Sequence, residues 1–369
     1  MSKTDTHDLI DACVPLATGG PLHALRRRRD KVVAASQGSV DAIFDPDLPG
    51  LGLAERFAAA EAVARLGGGE ALAAHYRERR DACAPPADRT RLDAAVAYAC
   101  TLARRPLDGT RAALLALPAA GLSTPDVVTL AQLIGLVAYQ VRVVAGLRAM
   151  AGLDAAPAAA SAADDTVFVH PANLPAPGEP VRANGFTSEP LGWKAWLPVL
   201  DVAQASEHQL AVLKASHPTA TTSDYYLTLG WQPRILEERS AAFNAIMYAP
   251  GGLSRAEREL ASTVVSRVNG CVYCAAVHAL RFEQLARRND VIVQVFEDPE
   301  RAGTQARERA IVRASIALTR GPGTFDASAL REVRAAGLDA LEILDLVHAI
   351  AIFAWANRLM LNLGEPVFP

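Results

Sequence analysis

Apolar residues recur at three- and four-residue intervals along most of this chain, the spacing of helices that bury one face. The clearest run lies near the C-terminus, where Leu346, Ile350, Ala354 and Arg358 step four apart within an apolar stretch. Upstream, Ser254-Arg255-Ala256-Glu257 has the form of a capping box, with Leu253 placed to staple it. It predicts a helix from Arg255 to about Val268, ended by Asn269-Gly270, two residues that tolerate a left-handed backbone. A second helix should open at Cys271 and run to about Arg287. Further helices fit 306–319, 327–335 and 341–361, punctuated by Pro322, Gly323 and Gly337. The expectation is helix throughout.

The periodicity fails between Ala151 and about Pro190, where alanine, proline and small polar residues dominate. This segment reads as a linker. The halves on either side look related. Residues 101–150 fall on 317–366 at one constant offset, pairing Ala119-Ala120-Gly121-Leu122 with Ala335-Ala336-Gly337-Leu338 and Arg142 with Arg358. Ala54-Glu55-Arg56 falls on Ala256-Glu257-Arg258 at a different offset, and residues 291–304 can supply the longer connector this requires. The pattern predicts an all-α protein of two related helical domains from an internal duplication. Their limits would be 1–155 and 191–369, with a linker over 156–190.

Composition sharpens the picture modestly. Half of the 369 residues are apolar and only 6% are aromatic, which favours helices. A net charge of −3 with interspersed signs demands neither nucleic acid nor an acidic membrane surface. The basic run 26–29 reads as a solvated helix face. No stretch of 18 or more apolar residues appears, so no transmembrane helix is expected, and the first residues lack the pattern of a secretory signal. The expected location is the cytoplasm. Five cysteines are too few for a secreted disulfide framework, so a close pair in a reducing compartment points to metal binding or catalysis.

That close pair is Cys271 and Cys274, in a string that adds Glu259 and His278. At 3.6 residues per turn, Cys271, Cys274 and His278 share one helix face. Unpaired N–H groups and the dipole at the helix start favour a thiolate at Cys271. His278, one turn beyond Cys274, can exchange a proton with it. An antiparallel return past Asn269-Gly270 could bring Glu259 beside the imidazole, to orient it or to act as base. Two other readings stand beside the redox site. The thiols could be small buried apolar groups, or Cys271, Cys274, His278 and Glu259 could ligate zinc.

The spacing Glu-x11-Cys-x2-Cys-x3-His resembles the alkylhydroperoxidase D-like, or carboxymuconolactone decarboxylase-like, superfamily. Residues 253–281 look especially like its peroxidase-related members, and the likeness extends over roughly 190–369. The whole chain resembles a fusion of a carboxymuconolactone decarboxylase-like domain with an alkylhydroperoxidase-like one. The resemblance implies an all-helical homo-oligomer that reduces small hydroperoxides, with Cys274 as the attacking thiol, Cys271 as the resolving one, and Glu259 and His278 as proton relay. It implies an external dithiol reductant, in the best-known case a lipoyl protein, and no metal or organic cofactor. Neither nucleic acid nor membrane is expected as a partner. Some relatives carry a relay histidine just before the second cysteine; here that residue is Tyr273. In the first half, Glu259, Cys271, Cys274 and His278 fall on Phe57, Gly69, Leu72 and Tyr76, so that half should be catalytically silent. Alternatives within the same reading are a general thiol–disulfide oxidoreductase and a non-catalytic oligomeric or metal-binding module. The decarboxylase branch lacks the cysteine pair.

Cys13, Cys83 and Cys100 have no partner at useful spacing. His348, Trp355 and Asn357 lie on the last long helix and read as core. His170, His208 and His217 carry no assignment. The aromatic residues of 193–196 and Tyr225, Tyr226 and Trp231 either wall a pocket or bury a subunit contact.

Overall fold

The computed structural model describes residues 8–14, 16–17, 19–86, 88–153 and 173–369. Most of the first half of the expected linker lies outside them, as does His170. The first half of the chain forms α1 (Leu9–Cys13), α2 (Pro21–Arg27), α3 (Asp30–Ile43), α4 (Leu53–Leu66), α5 (Glu70–Asp81), α6 (Arg89–Arg104), α7 (Arg111–Ala119) and α8 (Thr124–Ala151). The second half forms α9 (Glu207–Ser216), α10 (Asp224–Leu229), α11 (Pro233–Met247), α12 (Arg255–Asn269), α13 (Val272–Ala286), α14 (Asp290–Glu297), α15 (Ala306–Arg320), α16 (Ala327–Ala335) and α17 (Ala340–Asn362). The protein is all-α.

The order of helices repeats. α4 and α12 open at residues 53 and 255, and α5 and α13 at 70 and 272, a shift of 202 in both cases. α7 and α16 open at 111 and 327, and α8 and α17 at 124 and 340, a shift of 216. The longer connection between α13 and α15, which contains α14 and a short 3-10 turn at Pro299–Arg301, accounts for the change. Equivalent helices do equivalent work. Glu55 accepts from the Gly52 N–H at 2.7 Å, and Glu257 accepts from the Ser254 N–H at 3.1 Å, each closing the first turn of its helix.

The halves pack through like elements, α3 against α11 and α8 against α17. Gly135 allows α8 to approach α17: a Cβ there would lie 2.0 Å from Cδ1 of Trp355, which is wholly buried. The Trp355 indole donates to Gln132 at 2.9 Å, and Ser36 and Tyr139 share a bond of 2.8 Å. These bonds satisfy the indole N–H, the Gln132 amide oxygen and both hydroxyls within the seam.

Several expectations need correction. α8 and α17 are long and apolar enough to cross a membrane, although interrupted by polar residues; both are almost wholly buried within the protein. Strands also occur. Arg182–Ala183 pairs with Phe186–Thr187, so the described end of the expected linker is a hairpin. Its Phe186 packs 5.7 Å from Phe296 of α14. Gly192–Ala195 pairs antiparallel with Gly364–Val367. The basic run is not one solvated face. Arg26 is buried and ion-paired to Asp8 and Asp11, and Arg29 is buried against Asp345. Only burial with carboxylate partners makes such an arrangement tolerable, and those partners lie up to 316 residues away.

Candidate active site

Two helices and the turn between them build the site. α12 is opened by the capping box at Ser254 and closed by Gly270, whose φ of 77° lies in the left-handed region. The Cys271 N–H then donates to the Ser266 carbonyl at 2.8 Å, reversing the chain tightly. α17 clamps this turn. The Asn357 amide donates to Ser266 Oγ at 3.0 Å, and its oxygen accepts from Asn269 Nδ2 at 3.0 Å. Leu107 of the first half closes the other side, so near that a Cβ at Gly270 would lie 2.6 Å from its Cδ1.

The reversal sets α13 beside α12. Glu259, 2% exposed, reaches His278, and Nδ1 and Oε2 stand 2.5 Å apart. Arg255, one turn before Glu259, lies 3.8 Å from its other oxygen and covers the Tyr248 ring at 4.8 Å. Phe353 of α17 sets its ring edge-on to the imidazole, with centroids 4.4 Å apart. The carboxylate and imidazole are therefore held from three sides.

Cys271 is the N-cap of α13 and Cys274 lies in its first turn, both reduced and both buried. The two thiols are within hydrogen-bonding contact. Burial pushes the Cys271 thiol well above its ordinary value, and the neighbouring Cys274 adds to the shift; the Cys274 backbone N–H opposes it. The helix start therefore does not make Cys271 acidic, as its position alone suggested. Desolvation outweighs the dipole.

Aromatic residues complete the surroundings; of the two roles open to the segments at 193–196 and 225–231, lining a pocket or burying a subunit contact, the described residues place several near the thiols. Tyr273 has its phenol pushed up to about 12, by burial first and then by the nearby Cys274. Tyr225 of α10 is buried near Cys274 and Tyr273, and its ring lies 5.7 Å beneath the Arg239 guanidinium. His217 stacks on Tyr226 at 5.4 Å. Trp193 packs edge-on to Tyr225 at 5.6 Å, so these aromatic segments wall the thiol site from one side. The signal in the sequence was their density between 193 and 248, without an indication of what they faced. Among the described residues, no three His, Cys, Asp or Glu side chains gather to hold a metal ion.

The equivalent positions in the first half carry packing instead. Gly69 caps α5 as Cys271 caps α13. Phe57 and Tyr76 sit where Glu259 and His278 sit, stacked with Phe44, and the Tyr76 hydroxyl donates to Gln140 at 2.6 Å. Cys13, Cys83 and Cys100 are free thiols, and burial raises Cys13 to about 11.

Residues 233–298 match the carboxymuconolactone decarboxylase family. The match runs from the first residue of α11 through α14, and takes in Glu259, Cys271, Cys274 and His278. The resemblance to this superfamily seen in the sequence is thus found independently over the segment that carries the motif. Solved structures similar to this chain include the following two. One is titled an alkylhydroperoxidase AhpD core, an uncharacterized peroxidase-related protein from Ralstonia eutropha JMP134, at 23% identity and a TM-score of 0.39, covering 44% of this chain and 86% of that one. The other is an uncharacterized peroxidase-related protein from Silicibacter sp. TM1040, at 21% identity and 0.41, covering 48% and 92%. No curated protein matches significantly.

Proposed function

We propose that this chain is a dithiol peroxidase-type oxidoreductase of the cytoplasm, working through Cys274 and Cys271 with Glu259 and His278 as relay. The observation that carries the proposal is the buried Glu259–His278 pair, built against the helix that begins at two reduced thiols. A carboxylate on Nδ1 fixes the proton there and leaves Nε2 to accept one. His278 takes the Cys274 proton through Nε2. The thiolate attacks the near oxygen of a hydroperoxide, the O–O bond breaks, and the leaving alkoxide recovers the proton as alcohol. Cys274 is now a sulfenic acid. The Cys271 thiol, kept protonated by burial, attacks that sulfur and water leaves, giving a disulfide. An external dithiol restores both thiols.

The test is a free-thiol count before and after one equivalent of tert-butyl hydroperoxide. Wild type should lose two thiols per chain, and Cys274→Ser should consume peroxide far more slowly. Persistence of both wild-type thiols would sink the proposal.

A further inference from the structure

The seam between the halves holds a cavity of about 440 Å³ that the thiol chemistry does not use. Five arginines line it, Arg104, Arg105, Arg142, Arg320 and Arg358, and no aspartate or glutamate does so among the described residues. That imbalance is notable in a chain whose net charge is −3.

Its floor is built reciprocally. Arg142 of α8 donates to the Thr319 carbonyl at 2.7 Å, at the end of α15, and to Ala138 at 3.0 Å. Arg358 of α17 donates to the Ala103 carbonyl at 3.4 Å, at the end of α6, and to Ala354 at 2.9 Å. Each contact maps onto the other by the same shift of 216, as a two-fold relation requires. The turns meet in the same way, Gly68 against Gly323 and Gly270 against Leu107.

Both guanidiniums are buried, 6% and 3% exposed, and hydrogen-bond only carbonyls among the described residues. A helix C-terminus offers only about half a negative charge. Burial pushes Arg142 down to about 10 and Arg358 well below its ordinary value, the latter also through repulsion from Arg142. Arg142 Nε and the Thr319 hydroxyl, which belong to two of the lining residues, are buried without a hydrogen-bond partner among the described residues. At the rim, Arg105 and Arg320 have exposed ion pairs with Asp108 and Glu300, which neutralise little of the field inside. A buried surplus of positive charge with idle donors asks for an anion with acceptor oxygens. The volume falls within the range of about 300–1,000 Å³ typical of small-molecule sites.

We infer that this seam cavity is a binding site for a small oxyanion, a carboxylate or phosphate compound, held by Arg142, Arg358 and Thr319 and drawn in by the rim arginines.

The test is calorimetric titration of the full chain with orthophosphate and, separately, with malonate, at ionic strength fixed with sodium chloride. One saturable site per chain for either anion is expected, and the preferred probe tells phosphate from carboxylate. Thr319→Val removes an idle hydroxyl and should leave the fold intact, while weakening binding about ten-fold. Arg104→Gln with Arg105→Gln changes exposed groups only and should weaken it and flatten its salt dependence. Saturable heat from neither anion overturns the inference. So does binding that both variants leave unchanged.

Discussion

His348 shows how one side chain sets a pH limit. It is buried on α17, and desolvation pulls its imidazole down to about 3; Arg26, Arg29 and Arg258 push the same way and Asp345 opposes them. A depressed folded-state value means that the unfolded chain binds the proton first as pH falls. Stability from a neutral His348 is therefore present above about pH 6.5 and is lost as pH drops toward 3, by roughly 5 kcal/mol in full. The equivalent residue in the first half is Gln132. His348→Gln should match wild type in urea melts at pH 7.5 and lose less stability at pH 4.5; equal losses would assign the acid sensitivity elsewhere. At the same scale, the proposed relay makes a kinetic prediction. Glu259→Gln keeps the side-chain shape but cannot stabilise a protonated imidazole, so hydroperoxide turnover should fall on the order of 100-fold. Thiol oxidation rates by stopped flow would check this. The four residues of the motif could be read from their spacing, whereas the raised Cys271 could not. Its shift comes from burial, and burial depends on side chains supplied by other helices.

At the scale of elements, the turn after α12 matters most. Gly270 has positive φ, and the space a Cβ would need is taken by Leu107. Gly270→Ala should cost about 1–3 kcal/mol, from left-handed strain and from displacing Leu107. Denaturant unfolding would measure it, and a cost below a few tenths would show that the turn relaxes freely. Helix ends were legible because capping is local: Ser254 with Glu257, and Gly270 with positive φ, each act within a few residues. α16 falls on the expected 327–335. The two strand pairs were not legible. Gly192–Ala195 finds its partner some 170 residues later, and nothing local in either segment alternates strongly.

For the whole molecule, the internal repeat places two helical units face to face. A silent first half predicts that Cys271→Ser with Cys274→Ser abolishes peroxidase activity. Residual activity near that of wild type would locate chemistry elsewhere in the chain. Homo-oligomerisation is proposed as well, and light scattering after size-exclusion chromatography should return a mass that is a multiple of 39.0 kDa; a monomer mass would remove it.

The sequence by itself determined what depends on neighbours along the chain: helical periodicity, caps, the repeat, and the Glu-Cys-Cys-His spacing that places three groups on one helix face. Only the tertiary structure decided what depends on distant partners. It buried Arg26 and Arg29 against acids and closed aromatic residues around the thiols. It also brought Arg142 and Arg358 to one cavity that no carboxylate lines among the described residues. Desolvation and charge balance are set by everything within several ångströms, and no local pattern in a sequence encodes that neighbourhood.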